Sequence, residues 1–152
     1  EKAWTILHLT GPNHLAEVEQ KSRPLLSDTM LDYRPIGYMA EMHLALAASD
    51  LAVARAGAST LAEFTAVGLP SILVPYPWAA ERHQDHNADT LVNRGAALKL
   101  DDSAVVELLA DAVASLMEDS QRLGKMAEAS LAGGRPQALD QIVDLIEKGP
   151  WA

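Results

Sequence analysis

The sequence contains no cysteine, and that one absence removes disulfides, thiolate nucleophiles and cysteine-ligated zinc together. It also fits a reducing compartment. No apolar run approaches the ~20 residues that a bilayer-spanning helix needs, because charged or strongly polar residues interrupt each one. No transmembrane segment is therefore expected. Positive charge is scarce as well: 12 Lys and Arg stand against 21 Asp and Glu, a formal net charge of -9. Residues 1–100 hold 8 basic and 11 acidic side chains and residues 101–152 hold 4 and 10, so the acidity lies mainly in the C-terminal part. With no basic stripe, nucleic acid and anionic lipid are not expected partners of this stretch. Internal repeats and low-complexity tracts are missing too. The first residue is Glu1, and a strand pattern begins almost at once, which reads as a piece of something longer.

What is present is an alternation of short apolar runs with helical patterns. A chain of 152 residues with 49% hydrophobic content can bury one good core, so a single domain over residues 1–152 is expected. Strands are expected at 3–9 (AWTILHL), 34–39 (RPIGYM), 50–54 (DLAVA), 71–75 (SILVP) and 96–100 (AALKL). Helices are expected over 14–22, 41–49, 60–68, 82–95, 104–119, 120–132 and 137–149. Gly68 and Gly95 close two of them, Gly133-Gly134 separates the last two, and Asp102 or Ser103 is a candidate cap for the helix from 104. Met42, Leu44, Leu46 and Ala47 suggest that the second helix is buried. Nearly uniform apolar strands alternating with helices predict an α/β fold, a Rossmann-like doubly wound parallel sheet covered on both faces. Ligands of such sheets bind beyond the carboxyl ends of the strands.

One segment at such a place is unusually rich in chemistry: Arg55, Gly57, Ser59, Thr60 and Glu63 fall within nine residues. Gly57 is read as permitting a sharp turn and a close backbone approach to a ligand. The helix that follows offers unpaired N–H groups and a positive dipole end, a natural anion site, with Arg55 and the Ser59 and Thr60 hydroxyls as further donors. A purely local reading stands beside this one. Thr60-Leu61-Ala62-Glu63 also matches a capping box, and Arg55 could be an ordinary ion-pair residue at a strand end. A second polar cluster runs from Pro75 to Ala88. Gln84 and Asn87 are one turn apart, so they share a helix face and could read the hydroxyls of a polyhydroxylated ligand, or simply open a solvated helix. His83 and His86 have the spacing of metal ligands, but no third ligand is marked, and no metal or cofactor is expected.

The two clusters in this order, SDLAVARAGASTLAEFTAVGLPSILVPYP and then HQDHNADTLVNRGAALKL, resemble the C-terminal, donor-binding half of the MurG family, the GT-B-fold N-acetylglucosaminyltransferases that make lipid II from lipid I. The likeness runs from ILHLTGP to the late helices. It implies a UDP-N-acetylglucosamine site. Arg55, Gly57, Ala58, Ser59 and Thr60 would approach the diphosphate and sugar, and Glu63 would accept hydrogen bonds from the ribose hydroxyls. Tyr38 and Met39 would flank uracil at a strand end, and Gln84 and Asn87 would read the sugar hydroxyls. His83 stands where the family often has a second glutamine. The resemblance further implies an inverting displacement without a metal, a cytoplasmic enzyme peripheral on the inner face of the plasma membrane, and a lipid-linked acceptor held by an N-terminal domain. That domain and the glycine-rich G-G-S-x-G loop are not in the sequence, so no catalytic residue is assigned. Two other readings use the same pocket: a UDP-N-acetylglucosamine 2-epimerase built on His83, Asp85 and His86, and a non-catalytic nucleotide-sugar subunit of a split transferase.

Overall fold

The computed structural model describes residues 4–26 and 31–149. The chain separates into two compact units, Glu1–Ala45 and Leu46–Ala152.

In the first unit, β1 (Thr5–Leu9) pairs in parallel with β2 (Asp32–Ile36), and α1 (Leu15–Ser22) lies between them in sequence. The register Thr5↔Asp32 to Leu9↔Ile36 places the second strand two residues earlier than the pattern RPIGYM implied. Its reason is in the ladder: the Asp32 N–H donates to the Trp4 carbonyl at 2.9 Å, and the Ile36 carbonyl accepts from the Thr10 N–H at 3.0 Å. Residues 32, 34 and 36 therefore face β1, and Pro35, which has no N–H, costs that ladder no donor. Tyr38 and Met39 fall beyond the strand. Ala3, counted in the first strand from the sequence, lies outside the described residues.

The division between the units falls within α2 (Met42–Ala48). No residue of this helix is buried, contrary to expectation, and Leu44 is 55% exposed. Met42, Ala45 and Leu46 are half-buried. Those three share one side by the i, i+3, i+4 rule, which turns Leu44 and Ala47 away.

In the second unit β3 (Ala52–Ala54), β4 (Ser71–Leu73) and β5 (Ala97–Lys99) form a parallel sheet in the order β3-β4-β5. Parallel strands joined through helices bear out the α/β class. Successive residues of the central strand serve opposite faces. Leu73 joins a core with Leu61, Phe64, Ala88 and Leu91, from α3 (Ala58–Val67) and α4 (His83–Asn93). Ile72 joins another with Leu116 of α5 (Val105–Glu118) and Met126 of α6 (Ser120–Ala132). Both faces of this sheet are thus covered, and each buried aliphatic side chain contributes roughly 1.5–3 kcal/mol.

The helix ends follow from local chemistry. Gly68 has φ +71°, the Leu69 N–H returns to the Phe64 carbonyl at 2.9 Å, and a Cβ at Gly68 would sit 3.2 Å from the Leu131 Cβ. Glycine is required there for conformation and for the close approach of α6. At the end of α4 the Gly95 and Ala96 N–H groups return to Val92 and Leu91, both at 2.9 Å. Neither Asp102 nor Ser103 caps α5: a 3-10 turn, Asp102–Ala104, feeds it directly, with no side-chain cap bond. The final helix α7 (Ala138–Lys148) has no buried residue and exposes Leu139, Ile142, Leu145 and Ile146. Among the described residues, no helix is long and apolar enough to cross a membrane.

Candidate functional site

The loops at the carboxyl ends of β3, β4 and β5 are tied together. Ala54 ends β3, and its carbonyl accepts from the Val74 N–H at 2.9 Å. After Arg55 and the fully buried Ala56, Gly57 caps α3 with an extended backbone, φ -70° and ψ 144°. The Leu61 N–H makes the first helical turn to the Gly57 carbonyl at 3.0 Å. Gly57 has no side chain to cap with, and the first turn carries no acidic residue. The opening amides of Ala58, Ser59 and Thr60 are thus left to an outside acceptor at the positive end of the helix.

Two local readings change here. The capping box fails because α3 starts earlier, so Thr60 is its third residue and Glu63 its sixth. Among the described residues the side chains of Ser59, Thr60 and Glu63 carry no hydrogen bond or ion pair, and Ser59 and Glu63 are exposed. The sharp turn assigned to Gly57 also fails, since any residue adopts its φ and ψ, and a Cβ there would meet only the Thr60 Oγ1, at 3.6 Å. Nothing inside the chain demands glycine at this position. Open space above the helix start is what its missing side chain provides.

Arg55 is the hub of the three loops. Its Nη1 donates to the carbonyls of Val74 at 3.3 Å and Pro75 at 3.2 Å and pairs with Asp102 Oδ1 at 2.5 Å. Its Cζ lies 5.6 Å from the Tyr76 ring centre, a cation–π distance. No local pattern signals this arrangement, because Asp102 has the appearance of a helix cap and its partner lies 47 positions away.

The second polar cluster is built on a strained entry to α4. Glu81 and Arg82 both have positive φ, +50° and +53°, which costs non-glycine residues roughly 1–2 kcal/mol each. A 3-10 turn, Ala80–Arg82, takes Arg82, the first residue of the expected helix, and α4 begins at His83. Gln84 Oε1 accepts from the Tyr76 N–H at 2.9 Å, and Asn87 Nδ2 donates to the Ala56 carbonyl at 3.0 Å. Each half-buried amide thus braces one loop with one of its groups, and its other group makes no hydrogen bond among the described residues. His83 is exposed, with Nδ1 2.7 Å from the Ala80 carbonyl. Asp85 pairs with Arg82 at 3.2 Å and Lys99 at 3.6 Å, and Lys99 also reaches Asp89. The Arg82 hydrogen bond, reinforced by both cations, holds the Asp85 carboxyl below its ordinary value. The Asp89 bond raises the Lys99 ammonium. Among the described residues no three His, Asp or Glu side chains cluster to hold a metal ion.

Tyr38 and Met39 belong to the first unit, directly after β2 and Gly37. Tyr38 is 78% exposed and Met39 half-buried. A Cβ at Gly37 would lie 3.3 Å from both Leu15 and Pro12, so the chain there is pressed against the start of α1.

Parallel strands covered on both faces, with an uncapped helix start at their carboxyl edge, define the class as a Rossmann-like α/β domain. The sequence profile of the Glycosyltransferase family 28 C-terminal domain matches residues 1–142, and the chain belongs to that family. A Desulforamulus reducens protein is 43% identical over 150 residues, covering 94% of this chain and 39% of its own length. One from Desulforudis audaxviator is 53% identical over 112 residues, covering 73% of this chain and 30% of its own. Both are named UDP-N-acetylglucosamine--N-acetylmuramyl-(pentapeptide) pyrophosphoryl-undecaprenol N-acetylglucosamine transferase. The crystal structure of Acinetobacter baumannii MurG superposes with a TM-score of 0.85 at 28% identity, covering 97% of this chain and 42% of that one. The glycosyltransferase VinC, at 17% identity and a TM-score of 0.59, shares the fold. The chain thus spans about two fifths of the first of these relatives.

Proposed function

We propose that this chain is the nucleotide-sugar domain of an inverting glycosyltransferase that moves N-acetylglucosamine from UDP-N-acetylglucosamine to lipid I, giving lipid II. The observation that carries the reading is the uncapped start of α3, set beside Arg55, whose other nitrogens make no hydrogen bond among the described residues, and Glu63, whose carboxylate makes none there either. In this reading the amides of Ala58, Ser59 and Thr60 meet the diphosphate with Arg55, and Gly57 keeps the approach open. Glu63 accepts from the ribose hydroxyls, Tyr38 and Met39 flank uracil, and His83, Gln84 and Asn87 meet the sugar. Residues 1–152 act as one donor-binding domain. The acceptor is bound by a further domain of the longer protein, which works on the cytoplasmic face of the membrane.

The chemistry follows from where charge develops. An acceptor hydroxyl oxygen bonds to the anomeric carbon as the bond from that carbon to the diphosphate oxygen breaks, with inversion, and the hydroxyl proton passes to a base outside this chain. The leaving diphosphate gains negative charge, so amides and a guanidinium already aimed at it stabilise the transition state more than the bound donor. The epimerase alternative receives less support: His83 is bonded to a backbone carbonyl and Asp85 is engaged by two cations.

Calorimetric titration of the full-length protein with UDP and UDP-N-acetylglucosamine tests the proposal, and binding of both is expected. Glu63→Ala should weaken UDP by about tenfold or more, the value of hydrogen bonds to a charged acceptor. A uridine nucleotide lacking the ribose hydroxyls should be nearly unaffected. Equal losses for the two nucleotides, or no binding of either natural ligand, would overturn the reading.

A further inference from the structure

We propose that Asp102 is a positioning residue that sets the Arg55 guanidinium for a diphosphate; the inference rests on the donor-site reading above. Asp102 opens the 3-10 turn after β5, and its carboxylate lies 2.5 Å from Arg55 Nη1. The same nitrogen faces the carbonyls of Val74 and Pro75, after β4. One corner of the guanidinium is therefore held by oxygens from two loops, while the Tyr76 ring lies against its carbon. Nε and Nη2 make no hydrogen bond among the described residues, and the Arg55 side chain is 49% exposed.

A guanidinium is planar, with five N–H donors in a fixed fork. Fixing it through Nη1 leaves the Nε–Nη2 edge, which is the edge that pairs two parallel N–H groups with phosphate oxygens. The two carbonyl contacts are neutral and long, at 3.2 and 3.3 Å. Asp102 makes the one ion pair of Arg55 among the described residues, so it supplies the charge-assisted bond that selects this orientation. An opposite effect has to be weighed, because a carboxylate beside the arginine also offsets its charge. Both side chains are substantially exposed, 49% and 40%, so solvent screens that offset while the geometric restraint persists. Orientation wins, and removing the carboxylate loosens diphosphate binding instead of tightening it.

The test is calorimetric titration of the full-length protein with UDP and with uridine, which lacks the diphosphate. Asp102→Asn should weaken UDP about fivefold, the upper range for an exposed ion pair, and leave uridine unchanged. Asp102→Glu, which keeps the charge on a longer stem, should restore part of the loss, and it carries the same test if Asp102→Asn does not fold. In an Arg55→Ala background, Asp102→Asn should produce no further change, since its effect passes through Arg55. UDP affinity that is unchanged or tighter in Asp102→Asn, an equal loss for uridine, or additivity with Arg55→Ala would each overturn the inference. Absence of UDP binding by the unsubstituted protein overturns both this and the donor-site reading, whereas UDP binding that ignores Asp102 overturns this one alone.

Discussion

Strands β1 and β4 are both mainly apolar, TILHL and SIL, yet they end in opposite environments. Ile72 and Leu73 of β4 are 0% exposed, while Ile6, Leu7 and Leu9 of β1 are 38%, 37% and 41% exposed. The difference lies in their neighbours. β4 has a strand on each side and helices over both faces, whereas β1 pairs with a single strand, β2, among the described residues. Apolar side chains give a strand the capacity to be buried, and only the assembled layers use it. The same contrast separates α5, whose Leu116 is sealed beneath α6, from α7, whose apolar stripe is uncovered.

The largest expected effect tests that contrast directly. Ile72→Ala should cost about 3 kcal/mol by chemical denaturation, through lost transfer energy and the cavity left between β4 and the helices α5 and α6. Ile6→Ala should cost less than about 1 kcal/mol, and equal losses would break the comparison. Repeating Ile6→Ala in the full-length protein sharpens it, since a markedly larger cost there means that the rest of that chain covers β1.

A second prediction separates packing from recognition within the buried unit. Gly57→Ala should lower stability by at most about 1 kcal/mol, the usual difference at a helix N-cap, because the added Cβ meets only Thr60 Oγ1 at 3.6 Å. It should weaken UDP at least about tenfold, as the methyl group stands where the open helix amides receive the phosphate. A large stability loss with intact UDP affinity would reverse the roles assigned to packing and ligand.

The smallest effect is electrostatic. Asp85 is held below its ordinary value of 3.8, first by the Arg82 hydrogen bond, so its contribution to stability is present above that value and is lost as pH falls through the lower, folded value. Melting temperatures of the parent chain and Asp85→Asn should differ near neutrality and converge below pH 3.8. A difference that persists in acid would mean that Asp85 acts by packing and not by charge.

Much of the fold was legible in sequence wherever a local rule had no rival. The span 120–132 is α6 to the residue, because Asp119 caps it and accepts from the Arg122 N–H, and a glycine pair stops it. Gly68 and Gly95 close their helices with positive φ, as their places after periodic runs implied. The misses have two causes. β2 shifted to satisfy its partner's register, α3 began before Thr60, and Asp102 left its capping role for an arginine in another loop. For β2 and Asp102 a distant partner outbid a local one, whereas α3 starts at Ala58 directly after the extended Gly57. The site was legible as a set of residue types in order, Arg55 to Glu63 and then Gln84 to Asn87. Its bracing was not, since the bonds Gln84–Tyr76 and Asn87–Ala56 join segments that no local pattern connects.

By itself the sequence determined the alternation of strands and helices, the helix stops and the family, because these depend on periodicity, on backbone freedom and on side-chain chemistry carried within short stretches. Tertiary structure alone decided which apolar strand is sealed, that α3 starts uncapped at Gly57, and that one nitrogen of Arg55 is spent on two other loops. Those outcomes depend on groups far apart in the chain meeting at hydrogen-bond distance, and only folding sets that distance.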